Sequence, residues 1–253
     1  MLGLCLNCNS QDAIQLFDGK TLNGWKQLCG DAKFSVVDGT ILGVPGKGNI
    51  NSFLVTEEEY DNFLIDFDFK TNNLNSGVQL RSHREKWYHG GRVYGYQFEI
   101  DPFETRETGG IYYESAGIWL YSLMNNPQVR NAYHEEWNHG TVLAVNDTIR
   151  TWVNGIECSF IIDSTDRSGF IALQVHKTAE PDGKSVQWRD IYLKKVTDAS
   201  IIPPSTLKPI TTSFRMSSTM LNYLWIHKTQ ILALGAPCLV VSCIILILYF
   251  VKQ

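Results

Sequence analysis

The 253-residue chain has no strong excess of either charge. Its 22 lysines and arginines face 26 aspartates and glutamates, a net charge of −4. That balance argues against a nucleic-acid partner, because phosphate neutralisation needs a basic stripe. Six cysteines in this length are too few for a disulfide scaffold. No G-x-G-x-x-G follows a strand-like run, and Gly46-Lys47-Gly48 lacks the rest of a Walker loop, so nucleotide binding is disfavoured. No H-x-x-x-H or H-x-H spacing marks a metal site, and the lone Cys5-x-x-Cys8 has no second pair to complete a zinc site. Long helical periods are missing from residues 33–195. An apolar share of 44% excludes disorder for most of the chain.

Glycine and acidic residues are nearly missing from the C-terminal part. Of 20 glycines only Gly235 lies beyond residue 196, where Asp198 is the one acid beside Lys208, Arg215, Lys228 and Lys252. The first 196 residues therefore hold 18 bases and 25 acids. Four parts follow. Residues 1–13 read as a signal-peptide remnant or a disordered start, with no basic n-region and a short apolar stretch. Residues 14–196 form the body. Residues 197–230 form a linker, with three of the eight prolines in 201–209. Residues 231–251 are uncharged, and a helix of that length rises about 32 Å, enough to cross a bilayer core. His227, Lys228 and Lys252 flank it, and Tyr223, Trp225 and Tyr249 suit the interfaces. The expectation is a membrane-anchored protein whose body faces an extracytoplasmic compartment.

The body reads as strand after strand. In 62–70, Phe63, Ile65, Phe67 and Phe69 alternate with Asp66, Asp68 and Lys70, the period of a strand with one wet face. Shorter runs occur at 34–37, 52–56, 76–82, 94–100, 141–145, 148–153, 169–175 and 191–196. Asp38-Gly39, Asn154-Gly155 and Asp182-Gly183 supply turns, and Asn154-Gly155 is the strongest hairpin signal. The pattern predicts an all-β protein, an antiparallel β-sandwich or jelly roll, followed by a C-terminal transmembrane helix.

Three runs carry chemistry on one face. In 76–82, Ser76, Val78 and Leu80 alternate with Gly77, Gln79 and Arg81, whose guanidinium suits an oxyanion or a diol. In 94–101, Tyr96, Phe98 and Ile100 oppose Gln97, Glu99 and Asp101. A mid-strand glutamate among aromatics can have a raised pKa and act as an acid or base. In 169–176, Gln174 and His176 share a face, and imidazole carries protons near neutral pH. His83, His89 and His134 read as surface residues. Trp87, Tyr88, Tyr112, Tyr113 and Trp119 are candidate stacking platforms for sugar rings, whereas Trp25, Trp137, Trp152 and Trp188 read as core.

Seven ordered segments carry a family resemblance: FDGKTLNGW (17–25), NSGVQLRS (75–82), YGYQFEID (94–101), GGIYYE (109–114), EEWNHG (135–140), IRTWVNG (149–155), and GFIALQVH (169–176) followed by VQWRDIYL. The body is similar to the 3-keto-disaccharide hydrolase domain family. The resemblance implies a concanavalin A-like jelly roll that cleaves glycosides oxidised to a ketone at C3. A C3 ketone acidifies the C2 proton, so a base, an oxyanion stabiliser and a leaving-group acid suffice. Glu99 and His176 would share the proton transfers and Arg81, with or without a divalent metal ion, would hold the enolate. Asn75, Gln79, Gln97, Tyr113, Trp119 and Gln174 would bind the carbohydrate. The chain departs from the family pattern at Tyr113, at 115–118 and at His139-Gly140. Two alternatives remain open: a non-catalytic carbohydrate-binding module, and a conventional glycosidase using Glu99 with Glu114.

Overall fold

The structure is a computed structural model that describes residues 13–86, 90–114, 116–197 and 204–212. The chain divides into two units, 1–214 and 215–253. The second, with the expected transmembrane segment 231–251, lies outside the described residues, as do residues 1–12. Among the described residues there is no α-helix, only sixteen strands and two short 3-10 turns.

Two sheets face each other. The larger runs, edge to edge, through β16 (Ile210–Thr212), β13 (Ile156–Asp163), β12 (Thr148–Val153), β11 (Asn138–Val145), β6 (Phe63–Asn72), β15 (Ser185–Lys195), β4 (Thr40–Val44) and β3 (Lys33–Val37), with β1 (Ile14–Gln15) paired to β15. The smaller runs through β10 (Ile118–Tyr121), β9 (Ile111–Glu114), β8 (Val93–Ile100), β7 (Ser76–Arg84), β14 (Gly169–Val175), β5 (Ser52–Tyr60) and β2 (Trp25–Leu28). The smaller sheet is antiparallel throughout. The larger is mixed, because β16 pairs parallel with β13.

Period two builds the core. Ile65, Phe67 and Phe69 of β6 face Val78 and Leu80 of β7, Tyr96, Phe98 and Ile100 of β8, and Ile171, Leu173 and Val175 of β14. Phe67 meets Phe98 edge-on across the sheets, with ring centroids 5.2 Å apart. Gly140 gives that ring its space, since a Cβ there would run into Phe67. At Asn154-Gly155 both residues have positive φ, 49° and 79°, as the hairpin between β12 and β13 requires.

Three expectations are corrected here. Part of the linker is sheet: Thr212 donates to Asp163, Ser205 Oγ lies 2.8 Å from Glu157 Oε1, and β16 extends the larger sheet. Trp137 is half-buried beneath the Arg189 guanidinium, 4.1 Å from its centroid, and is not core. Arg81 does not follow the alternation of β7. The pairing of β7 with β8 shifts register between Leu80 and His83, and Arg81 takes φ 46°. This bulge turns Arg81 away from the Gln79 face and buries it completely. Its guanidinium donates to the carbonyls of Asp61 (2.6 Å), Asn146 (2.7 Å) and Asp166 (3.4 Å) and to Asn62 Oδ1 (3.2 Å). It is a clasp for three loops, without a free edge for an enolate.

Arg81→Met should therefore lose stability, by about 3 kcal/mol, because the charge-assisted hydrogen bonds that hold three loops together are lost. Urea unfolding followed by tryptophan fluorescence reads the loss; unchanged stability would contradict the clasp.

Candidate active site

The face of β8 and β14 that turns away from the core lines a hollow of about 550 Å3, within the range of small-molecule sites. Gln97 and Glu99 project into it from β8, Tyr112 and Glu114 from β9, Trp119 from β10, and Gln174 with the adjoining His176 from β14. Asn75 enters just before β7, and Lys177, Thr178 and Lys184 come from the loop between β14 and β15. Trp119 is 41% exposed and packs edge-on against Tyr112, centroids 5.1 Å apart, forming an aromatic wall.

A relay of amides fixes the acids. Glu99 accepts from Asn75 Nδ2 on Oε1 and from Gln97 Nε2 on Oε2, both at 2.7 Å. Gln97 Oε1 accepts from Gln174 Nε2 at 2.8 Å and from Gln79 Nε2. The Gln174 amide nitrogen also lies 3.0 Å from Glu114 Oε2, and Asn51 Nδ2 lies 3.1 Å from Glu114 Oε1. Gly77 admits this relay, because a Cβ on it would strike the Gln97 side chain. Gln174 Oε1 is buried without a partner among the described residues.

Glu99 is 5% exposed. Burial pushes its carboxyl up from an ordinary 4.5 to about 7; the amide donors of Asn75 and Gln97 oppose that, and the charges of Asp101 and Glu114 add to it. It is therefore poised between acid and base at neutral pH. Burial lowers the pKa of His176, against the carbonyl of Lys177 that its Nδ1 meets at 2.7 Å. A carbonyl only accepts, so Nδ1 carries the proton of the neutral ring and Nε2 is its basic nitrogen.

The structure thus brings Glu99, His176, Asn75, Gln97, Gln174 and Trp119 around one hollow. Gln79 stands one layer beneath, fully buried, with its Oε1 accepting from Ser82 Oγ at 2.9 Å. Arg81 does not join them, as its bulge dictates. Tyr113 is also misplaced: it pairs across from inward-facing Tyr96, while Tyr112 pairs with outward-facing Gln97. The Tyr113 hydroxyl donates to Asp166 Oδ2 at 2.7 Å instead. Trp87, Tyr88 and His89 lie outside the described residues. His83 is half-buried in β7 with Nε2 3.3 Å from Asp166, so it is not a free surface residue, whereas His134 is exposed as expected; His139 meets Asp68 at 2.8 Å. Among the described residues no three His, Cys, Asp or Glu side chains converge to hold a metal. Lys177, Thr178 and Lys184 were not foreseeable, since they sit in a loop without periodicity.

The raised carboxyl has a stability signature. A group whose folded pKa exceeds its unfolded value stabilises fully below the unfolded value and loses that contribution as pH rises through the folded one. Wild type should lose stability relative to Glu99→Gln between about pH 4.5 and about 7, by about 3 kcal/mol in all. Melting temperatures of the two proteins across that window check it; parallel curves would contradict it.

Comparison with known proteins agrees with this architecture. A candidate glycosyl hydrolase from Parabacteroides distasonis aligns at 20% identity and TM-score 0.55, covering 73% of this chain and 94% of its own. A Bacillus subtilis protein of unknown function with a galectin-like fold aligns at 10% identity and TM-score 0.53, covering 69% and 90%. The exoplasmic/lumenal domain of VIP36, solved with Ca2+ and Man3GlcNAc, aligns at 8% and 0.50, covering 77% and 91%. At these identities the likeness is one of fold. No curated protein matches the chain. The 3-keto-alpha-glucoside-1,2-lyase-like domain matches residues 12–194, most of the chain and every strand that lines the hollow, and the chain belongs to that family.

Proposed function

We propose that the protein is a carbohydrate-cleaving enzyme that acts on 3-keto-glycosides by elimination across C1 and C2 followed by hydration. The observation that carries this reading is the pairing, in one aromatic-walled hollow, of a carboxyl poised near pH 7 with an imidazole held neutral. Family membership supports the substrate class.

His176 Nε2 takes the C2 proton, and the bonding pair moves into an enolate with the C3 oxygen. Lys184, a cation lining the hollow, replaces Arg81 as the enolate partner; its Nζ is 3.3 Å from Thr178 Oγ1. Collapse of the enolate forms the C1–C2 double bond and expels the C1 oxygen, which takes the proton of Glu99. The Glu99 carboxylate then removes a proton from water adding to C1, and the imidazolium, its N–H exchanged with solvent, protonates C2. The net change is hydrolysis, and both groups end as they began. Asn75, Gln97 and Gln174 orient the acid and the sugar, and Trp119 with Tyr112 stacks the ring.

The uncharged run 231–251 supports a tether to a membrane, with the body on the periplasmic or outer side of a bacterial cell. A conventional two-carboxylate reading is favoured by one observation, the presence of Glu114 beside Glu99 in the hollow.

One experiment separates the two. In D2O, short incubation with a 3-keto-disaccharide should yield a keto-sugar with deuterium at C2, while the unoxidised parent stays intact. The rate should fall below the depressed His176 value, under 6.5, and above about 7, where Glu99 loses its proton. Glu99→Gln should cost about 10²–10⁴-fold and abolish the alkaline limb. Cleavage of the parent without deuterium uptake would overturn the elimination.

A further inference from the structure

Beside the hollow lies a second compartment of about 50 Å3. The two share Asn51, Glu114 and Lys177 as a common wall. Beyond that wall the floor is Cys29, Ile50 and Phe53, and Arg92 stands at the rim. Phe53 pairs across from Gln174, so it lies on the same open face as the hollow, and it continues into an apolar cluster with Val55, Val93, Phe170 and Ala172. A sugar seated over Glu99 would thus direct one end across Glu114 toward this compartment. Its volume exceeds the roughly 10–15 Å3 that one water needs. It suits a group of a few atoms and is too small for a second sugar ring.

Two cations, Arg92 and Lys177, line this compartment, and neither forms an ion pair with any described residue. One carboxylate, Glu114, lines the compartment beside the two cations, and Asp31 stands in the next cleft. Glu114 accepts from Asn51 and Gln174, and Asp31, in an adjoining cleft that shares Ile50 and Lys177, accepts from the Gly48 amide at 2.9 Å. Two cations against one hydrogen-bonded carboxylate, over an apolar floor, fit an anion attached to an apolar body.

We propose that this compartment is the leaving-group subsite and that it takes a small anionic substituent, a carboxylate or a phosphate, making acidic aglycones the preferred leaving groups. This rests on the keto-glycoside reading for its orientation, though the anion subsite itself does not require turnover.

The test uses the full chain and phenyl 3-keto-glucosides carrying a para carboxylate, a phosphomonoester or a neutral methyl ester. The unoxidised glucosides serve in parallel as calorimetric ligands. The acids should exceed the ester by about tenfold in kcat/KM and in affinity, the size of one charge-assisted contact. The advantage should shrink at high salt. In Arg92→Gln/Lys177→Gln the ratio of acid to ester should fall to about one, and Arg92→Lys should restore part of it. The carboxylate and phosphate arms show which anion the subsite prefers. If no keto-glycoside turns over but the acidic glucosides still bind better, and the double variant loses that advantage, the catalytic reading fails and the subsite stands. If acid and ester behave alike, or the preference survives the double variant, the subsite is overturned however fast the turnover.

Discussion

Everything at the site follows from one electrostatic constraint: Glu99 is buried with two amide donors and, among the described residues, without a cation against it. Amide donors stabilise a carboxylate less than a guanidinium does, so desolvation wins and the proton is held to about pH 7. The cations of the neighbourhood are kept off Glu99. Arg81 is spent on loop carbonyls, and Lys177, Lys184 and Arg92 lie around the hollow and its side compartment. A guanidinium beside Glu99 would have held it ionised and removed the acid that the reaction needs. The relay through Gln97 and Gln174 does the positional work a salt bridge would otherwise do, at no cost to the proton.

The scaffold explains why such a carboxyl is tolerated. A sandwich of two sheets buries its apolar faces against each other, which leaves the other face of the smaller sheet open for polar groups. Gln97, Glu99 and Gln174 stand there with Phe98, Leu173 and Val175 directly behind them in the core. Strands β8, β9, β10 and β14 supply the residues, and their register is fixed by the packed face. The site is therefore built on rigid elements, with loops contributing the lysines and the rim.

Much of this was legible in the sequence because period two is a strong signal. The alternation in 62–70, 94–101 and 169–176 marks both core and open faces, so Glu99, Gln97 and Gln174 group together from the residues alone. His176 followed by parity from Gln174. Parity fails where a backbone leaves the pleat. Arg81 sits at a bulge with φ 46°, a local event that no residue pattern announced. Tyr113 failed for a simpler reason: in Tyr112-Tyr113 either tyrosine could face outward, and only the pairing with β8 decides between them. The linker reading missed β16, since proline content predicts an extended chain but not that the chain joins a sheet edge. Asn51 and Lys184 lie outside periodic segments, so their arrival at the hollow depends on tertiary structure alone.

The protonation of Glu99 is the point at which the account is most directly exposed. Infrared difference spectra of the protein, recorded across a pH titration with Glu99→Gln as the reference, isolate the carbonyl stretch of this one carboxylic acid. The account predicts a protonated acid band, missing from the variant, that disappears with a midpoint near 7. A midpoint at the ordinary 4.5 would contradict it, since a carboxylate already ionised at neutral pH could not serve as the acid in this hollow.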